Sequence, residues 1–132
     1  MQYDCALDRQ GLIDLAIHRY FAAVDAKDLA GTLACFHPEA LFTIQTSFTR
    51  HAGLPAIERM FRDFFAAWQT IVHRDFVLTV DEAHGRIAAA FEAVLTAPDG
   101  QVTRLSNTNF WRVRGEKFQE VYVYMSGANV LV

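Results

Sequence analysis

The sequence predicts an α+β fold in which helices cover one face of a curved, mostly antiparallel sheet. Two observations predict it. In most of the first half, apolar residues recur every three or four positions, which is the spacing of amphipathic helices. From residue 73 onward they alternate instead, and three turn signals divide this half into four strand-like runs. Because 132 residues is the length of one domain, residues 1–132 are interpreted as a single domain.

Three helices are predicted before residue 70. Asp8 is placed to cap the first helix, whose apolar stripe runs through residues 13–24. Asp28 is placed to cap a short second helix, and Pro38 prevents that helix from continuing. The third helix begins at Pro55, since proline in the first turn loses no needed hydrogen bond.

Between the second and third helices the sequence predicts a strand over residues 40–45 and a polar loop over residues 46–52. His51 is in this loop, near the expected mouth of a pocket, where it is either a solvated side chain or a carrier of protons. On the aromatic stripe of the third helix, Met60 and Phe64 are the residues expected to reach a cavity.

The four strand-like runs cover residues 73–81, 86–97, 101–113 and 117–125. Their short connections make consecutive strands antiparallel neighbours, so they form a meander. Long strands curl, and three helices can cover only one face of the sheet. The covered face therefore holds the core and any pocket. Eleven Phe, four Tyr and two Trp exceed what a small interior needs, so some of them line a cavity or an interface.

Alternation separates the two faces of the third run. Asn107, Asn109 and Trp111 are expected to face inward, because Arg104 and Arg112 occupy the other face. A buried amide without a partner costs roughly 1–3 kcal/mol. Either a structural hydrogen bond, to protein or to bound water, or a ligand must therefore satisfy these two asparagines.

The last run separates in the same way. Val123 and Met125 are expected to line the concave face, whereas Tyr122 and Tyr124 point outward and join Phe110. Such an aromatic patch on the open face of a sheet is typical of a protein interface, and a homodimer is the simplest partner.

Glu92 interrupts an apolar stretch and has two interpretations. Inside the pocket it would be a carboxyl group with a raised pKa, suited to general acid or base catalysis. Facing outward it would pair with a basic residue such as Arg104. The outward placement is the one that we expect.

Composition and motifs exclude several classes of function. The net charge is −3 and the basic residues are scattered, which is atypical of a nucleic-acid-binding protein. No apolar run approaches the roughly 18–20 residues of a membrane span. Residues 1–5 lack the pattern of a secretory signal, so a cytoplasmic location is expected. No metal-ligand spacing and no phosphate- or dinucleotide-binding motif is present, and we expect neither a metal nor a cofactor.

Six segments resemble the nuclear transport factor 2-like superfamily, and within it the SnoaL-like and ketosteroid-isomerase-like groups. They are distributed over residues 10–126. The resemblance implies a cystatin-like, cone-shaped α+β barrel with a deep pocket, often dimeric through its sheet. The segments are Arg19-Tyr20-Phe21-Ala22-Ala23, Asp28-Leu29-Ala30-Gly31-Thr32-Leu33, Phe36-His37-Pro38-Glu39-Ala40, Gly53-Leu54-Pro55-Ala56-Ile57, Asn109-Phe110-Trp111-Arg112 and Gly115-Glu116-Lys117-Phe118.

The resemblance also implies roles for single residues. Ketosteroid isomerases use a tyrosine and a protonated aspartate as an oxyanion hole, and a second aspartate as the base. The tyrosine matches Tyr20 and the protonated aspartate matches Asn109, which can still donate a hydrogen bond. The base matches Ile44, which cannot take a proton. The aspartate that similar polyketide cyclases carry near the end of the last strand matches Ser126.

These features predict a domain that binds a small hydrophobic carbonyl compound in an apolar pocket. As an enzyme it would be an isomerase, lyase or cyclase in which Tyr20 and Asn109 polarise the carbonyl group. His51 or Glu92 would then transfer the proton. The alternatives are a non-catalytic ligand-binding domain and a protein-interaction module. The residues predicted to contact the ligand are Ile44, Met60, Phe64, Asn107, Trp111, Val123 and Met125.

Overall fold

The computed structural model of the protein describes residues 4–132. Residues 1–3, which belong to the segment where no secretory signal is expected, lie outside the described residues. Within the described part, no helix has both the length and the apolar character that crossing a membrane requires.

The first helical run extends from Arg9 to Asp25 as α1 (Arg9–Ile13), a π-helical stretch (Asp14–Phe21) and α2 (Ala22–Asp25). The predicted cap is confirmed, because the Asp8 carboxylate accepts a hydrogen bond from the backbone N–H of Gly11. A π-helix brings residues five apart onto the same face. The deeply buried residues are accordingly Leu15 with Tyr20 and Ala16 with Phe21, whereas the predicted Ile13 and Ile17 are only partly buried.

The other two helices begin where the sequence predicts. Helix α3 (Leu29–Leu33) is capped by Asp28, whose carboxylate accepts from the backbone N–H of Gly31. Helix α4 (Leu54–Ala67) follows Gly53, which has a φ of 83° that favours glycine, and has proline in its first turn. Its apolar stripe is buried against the sheet, as predicted.

Within residues 4–132, six strands form one sheet: β1 (Phe36–Ile44), β2 (Thr49–Ala52), β3 (Thr70–Asp81), β4 (Arg86–Thr96), β5 (Val102–Arg114) and β6 (Lys117–Tyr124). The predicted four-stranded meander is confirmed as β3 to β6. The predicted polar loop over residues 46–52 is wrong for its second half. Residues 49–52 form an antiparallel hairpin with β1, in which backbone pairing at the edge of the sheet outweighs a polar composition.

The strand order is β2-β1-β6-β5-β4-β3. The β1–β6 pair is parallel and the other neighbours are antiparallel, so the sheet is mixed but mostly antiparallel, as expected. The edge strands β2 and β3 do not pair with each other. The α+β cone that the sequence predicts is therefore confirmed, with an open sheet rather than a closed barrel. The helices cover its inner face, and the core lies between the two layers.

Candidate functional site

A pocket lies between the first helical run, α4, the inner face of the sheet and the segment that follows β6. Six of the predicted site residues line it: Tyr20, Phe64, Asn107, Asn109, Val123 and Met125. The alternation of β5 and β6 brings the last four to one place, because every second residue of each strand faces inward. The cavity volume is about 30 Å³, which is room for about one or two water molecules.

A histidine–aspartate pair forms one wall of this pocket. His73 lines the cavity, and its Nδ1 lies 2.6 Å from Oδ1 of Asp25. The other carboxylate oxygen of Asp25 accepts from the backbone N–H of His73 at 2.9 Å. Because both oxygens are used by the same residue, Asp25 holds the Nδ1–H tautomer of His73 and leaves Nε2 for a ligand.

Aromatic packing fixes the imidazole of His73 in place. Its ring centroid lies 4.4 Å from that of Phe21 and 5.4 Å from that of Phe91. Only 9% of its side chain is exposed, against 28% for Asp25. Asp25 thus keeps contact with solvent on the outer side of the pair, whereas the imidazole belongs to the pocket wall.

Tyr20 supplies a hydrogen-bond donor to the same pocket. It is buried at the end of the π-helical stretch, where the extra residue in the turn brings it beneath the sheet. Burial raises the pKa of its hydroxyl far above the ordinary value, and the neighbouring Cys35 and Asp25 add to the shift. The phenol therefore stays protonated at neutral pH and can donate to a ligand oxygen.

Two amide side chains complete the polar groups of the cavity. Asn107 is held in place by the backbone N–H of Ser126, which donates to its Oδ1 at 3.3 Å. Asn109 is 3% exposed, and its Oδ1 is buried without a hydrogen-bond partner among residues 4–132. A buried amide in this state loses roughly 1–3 kcal/mol. A water molecule or a ligand that bonds Asn109 would recover that energy.

Three of the predicted ligand contacts lie elsewhere. Ile44 and Met60 are fully buried in the core and do not line the cavity. Trp111 faces inward as predicted, but its ring packs against Tyr20 and stacks on Phe118. The side chains of Ile44 and Trp111 face the right layer, but other core residues fill the space beside them, which the alternation of a strand cannot reveal. Met60 lines a separate groove along α4.

His51 is in strand β2 rather than in a loop, and it is 4% exposed. Its Nε2 lies 2.9 Å from the carbonyl oxygen of Leu131, and its Nδ1 lies 3.4 Å from a guanidinium nitrogen of Arg59. Both ring nitrogens therefore face protein groups, and the ring does not line the pocket.

Glu92 faces outward, which confirms the expected placement. Its carboxylate accepts hydrogen bonds from Arg74 and Arg104, each at 3.1 Å. These hydrogen bonds lower the pKa of Glu92. The group is thus an ionised partner of two arginines, on the face of the sheet opposite the pocket.

The pair formed by Asp25 and His73 is the feature that sequence reasoning missed. The two residues are 48 positions apart, one at the end of a helix and one in an edge strand. Helical periodicity places Asp25 one residue after the buried Val24, and alternation places His73 at the start of a strand. Neither pattern says that the two elements meet. No group of three or more His, Cys, Asp or Glu side chains suited to a metal ion occurs within residues 4–132.

Solved structures share this fold over most of their length. A protein from Novosphingobium aromaticivorans, provisionally designated an aromatic ring hydroxylase, is 25% identical, with a TM-score of 0.78 over 92% of this chain and 90% of its own. A provisionally designated polyketide cyclase from Xanthomonas campestris pv. campestris is 21% identical, with a TM-score of 0.78 over 88% of this chain and 90% of its own. PrhC from Penicillium brasilianum is 15% identical, with a TM-score of 0.78 over 89% of this chain and 82% of its own.

The helix-covered sheet thus has the fold that these solved structures share. The sequence profile of the SnoaL-like domain matches residues 17–121, and the chain belongs to that family. The match contains the pocket residues named above except Val123, Met125 and the segment that follows them. A comparison with curated proteins found no match.

Proposed function

We propose that the protein is an acid–base enzyme that moves a proton next to the carbonyl group of a small hydrophobic compound. The class of reaction is isomerisation, elimination or ring closure, all of which begin by removing a proton α to a carbonyl. The observation that carries the proposal is the pair of His73 and Asp25 in the wall of an apolar pocket that also contains Tyr20 and Asn109.

His73 is the proposed base. Asp25 accepts from Nδ1–H, so in the neutral ring the lone pair is on Nε2 and can take a proton from the substrate. The carboxylate also stabilises the imidazolium that forms, as the aspartate does in other Asp–His pairs. A general base accelerates proton transfer by about 10²- to 10⁴-fold. His73 thus fills the role for which the residues at positions 44 and 126 are unsuited.

Tyr20 and Asn109 are the proposed electrophilic groups. When the α-proton leaves, negative charge develops on the carbonyl oxygen, and two buried donors stabilise it more strongly than water does. The raised pKa of Tyr20 keeps its proton in place for this purpose. The Oδ1 atom of Asn109 is unpaired in the cavity, and a flip of the amide would place the NH₂ group there instead, where it can donate to the same oxygen.

Deuterium incorporation tests this proposal. The probe is 2-tetralone, a compact aromatic ketone with acidic α-protons, followed by NMR in D₂O. The protein should accelerate exchange above the buffer rate, and His73→Gln should remove most of that acceleration, by about 10² or more. The control is His84→Gln. His84 forms a similar pair on the exposed surface, where its Nδ1 lies 2.8 Å from Oδ2 of Asp81. Equal losses in the two variants would reject His73 as the base.

A ligand carrier is the second candidate. The apolar residue at position 44 favours it, because the base that the family resemblance implies there is missing. The two candidates differ in one measurement. A carrier releases its ligand chemically unchanged after long incubation, whereas the enzyme converts it or exchanges its α-protons.

We also propose that a second copy of the chain covers the outer face of the sheet. Phe110 and Tyr124 are 45% and 44% exposed there and form an edge-to-face pair at 5.9 Å. Beside them lies a groove of about 200 Å³ with a mixed lining, which includes Ala88 and Tyr122 and also the charged residues Asp81, Arg86 and Arg112. Such an exposed aromatic patch is typical of homodimer interfaces.

Sedimentation velocity tests the dimer. Phe110→Lys should convert it to monomer, because a charge would be buried in an apolar interface. Val102→Lys is the matched control, since Val102 is also exposed and lies at the start of the same strand. A monomeric parent protein would refute the proposal. Residues 1–132 are proposed to act as one domain in the cytoplasm, which limited proteolysis and fractionation of cells would test.

A further inference from the structure

The segment after β6, residues 126–132, closes one side of the pocket, and we call it the strap. At its start, the Ser126 hydroxyl accepts from the backbone N–H of Ser106 at 2.9 Å. At its far end it contacts strand β2 on the other side of the pocket. Val130 and Leu131 both line the cavity, and Leu131 is only 9% exposed. The side chain of Leu131 therefore occupies space next to Tyr20 and Asn109 where a guest molecule would lie.

The strap is held by side chains. Leu131 donates its backbone N–H to Oδ1 of Asn129 at 2.8 Å, and Asn129 contacts Thr49 at 3.5 Å. Within the described chain, no backbone-to-backbone hydrogen bond joins residues 126–132 to a neighbour. The other walls belong to helices and to the sheet, whose backbone bonds are continuous. The strap is thus the wall with the lowest local stability.

His51 makes a buried polar contact with the strap. Its Nδ1 faces a guanidinium nitrogen of Arg59, which can only donate, so the proton lies on Nε2. Nε2–H then donates to the carbonyl oxygen of Leu131 at 2.9 Å. This arrangement is buried, which strengthens it relative to a hydrogen bond in water. His51 therefore fixes the position of Leu131 without touching the cavity itself.

The strap also separates two spaces. The inner cavity has a volume of about 30 Å³, and a groove of about 180 Å³ lies on the other side, along α4. Val130 and Phe64 line both of them. A ring-sized ligand does not fit the inner space alone. Displacement of the strap would join the two spaces into one of the size that an aromatic ketone needs.

We propose that Leu131 is the residue that sets the size of ligand the site admits, and that His51 is the positioning residue that holds it in the closed place. The ligand class is a compact aromatic or alicyclic ketone, which displaces Leu131 to reach Tyr20 and Asn109. This inference rests on the proposed function only for the polar groups that the ligand meets. If only molecules with an open strap bind the ligand, the apparent Kd is the intrinsic Kd divided by the open fraction. A change that loosens the strap raises this fraction and therefore lowers the apparent Kd for the ligand.

The test uses prodan, a fluorescent aromatic ketone whose emission shifts to the blue in apolar surroundings. In the full chain, Leu131→Ala should lower the Kd for prodan by about tenfold or more, with one molecule bound per chain. Bound prodan should be displaced by 2-tetralone, which separates pocket binding from adsorption to a loosened surface. An unchanged or weaker affinity in Leu131→Ala, or no binding to either protein, overturns the proposal.

Two variants of His51 test the positioning role. His51→Ala should tighten prodan binding by about three- to tenfold and speed hydrogen exchange of the Leu131 amide. His51→Gln keeps an N–H group that can reach the carbonyl of Leu131 and should restore the parent values within about twofold. The matched control is His37→Ala, because His37 also bonds a backbone carbonyl, that of Arg114, at 2.6 Å. Equal changes in His37→Ala and His51→Ala contradict the positioning role.

Failure of this inference is distinct from failure of the proposed function. If the protein does not accelerate exchange of the ketone's α-protons but Leu131→Ala and His51→Ala lower the Kd for prodan, the inference about the strap is supported and the catalytic proposal is rejected. If exchange depends on His73 but the variants at positions 51 and 131 leave the Kd for prodan unchanged, the catalytic proposal is supported and the inference about the strap is rejected.

Discussion

Replacing Asp25 with asparagine tests how the pair controls proton transfer. Both partners of the Asp25 carboxylate are donors: the backbone N–H of His73 at 2.9 Å and its Nδ1 at 2.6 Å. Asparagine has one acceptor oxygen and one NH₂ group, so it can satisfy only one of these donors. The backbone N–H cannot change its role, and it takes the oxygen. The NH₂ group then faces Nδ1 and forces that nitrogen to become an acceptor.

The consequence falls on the other side of the ring. With Nδ1 as acceptor, the neutral imidazole carries its proton on Nε2, the nitrogen that is proposed to take the proton of the substrate. A protonated Nε2 cannot accept a proton from the substrate. The loss of the correct tautomer costs about 10⁴ in kcat in a serine protease, and general bases contribute about 10² to 10⁴. At about 1.4 kcal/mol per tenfold, the expected loss is about 3–5 kcal/mol of transition-state stabilisation.

The folded state should be affected much less. Asp25 is 28% exposed, so its hydrogen bonds are partly screened by solvent, and one of them survives in the variant. The expected loss of unfolding free energy is about 1 kcal/mol. Urea denaturation measures this value, and the exchange of 2-tetralone protons measures the catalytic loss.

Imidazole ¹⁵N chemical shifts provide the direct readout. In the parent protein the shifts of His73 should report the Nδ1–H tautomer, and in Asp25→Asn they should report Nε2–H. The reasoning is refuted if Asp25→Asn keeps the parent tautomer and still loses exchange activity, or if the tautomer switches and activity is unchanged.

Further predictions follow from burial and charge. Burial raises the pKa of Cys35 to about 11, so roughly 0.1% of it is thiolate at pH 8; iodoacetamide should leave Cys35 unlabelled in the native protein and label it after unfolding, by mass spectrometry. Tyr20→Phe should slow 2-tetralone exchange by about 10² or more, and an unchanged rate rejects Tyr20 as donor. Hydrogen bonds from Arg74 and Arg104 lower the pKa of Glu92, so its stabilising contribution is present above the ordinary glutamate pKa and disappears as the pH falls through the lowered one. Glu92→Gln should therefore destabilise the protein more at pH 7 than at pH 3 in urea titrations.

The strands of the second half were predictable because alternation is strong and turns are short. Period-two spacing, together with the arginines on the other face of the strand, places Asn107 and Asn109 on the pocket side, and both line the cavity. The same reasoning failed where local geometry departs from the regular period. Ile13 and Ile17, which the regular stripe places inward, are only partly buried, whereas Leu15, which is not in that stripe, is buried. The π-helical stretch explains this, because its hydrogen bonds join residues five apart instead of four and each turn holds more residues than the 3.6 of an α-helix.

The site itself was predictable only in part. Tyr20 followed from the helical stripe and from the family resemblance, whereas the pairing of Asp25 with His73 depends on contacts between distant elements. The place of His51 was missed because a polar edge strand has the composition of a loop. The size of the cavity depends on Leu131, which belongs to no periodic element. Side-chain packing of this kind is not encoded in a spacing pattern.

The carbonyl ¹³C resonance of bound 2-tetralone tests the central claim most directly, because it reports whether a ketone oxygen meets two donors beside His73. We predict saturable binding with a downfield shift of this resonance, and a smaller shift in Tyr20→Phe and in an Asn109→Ala variant. A bound ketone whose carbonyl resonance stays at its position in apolar solvent, or shifts equally in all three proteins, would contradict the account.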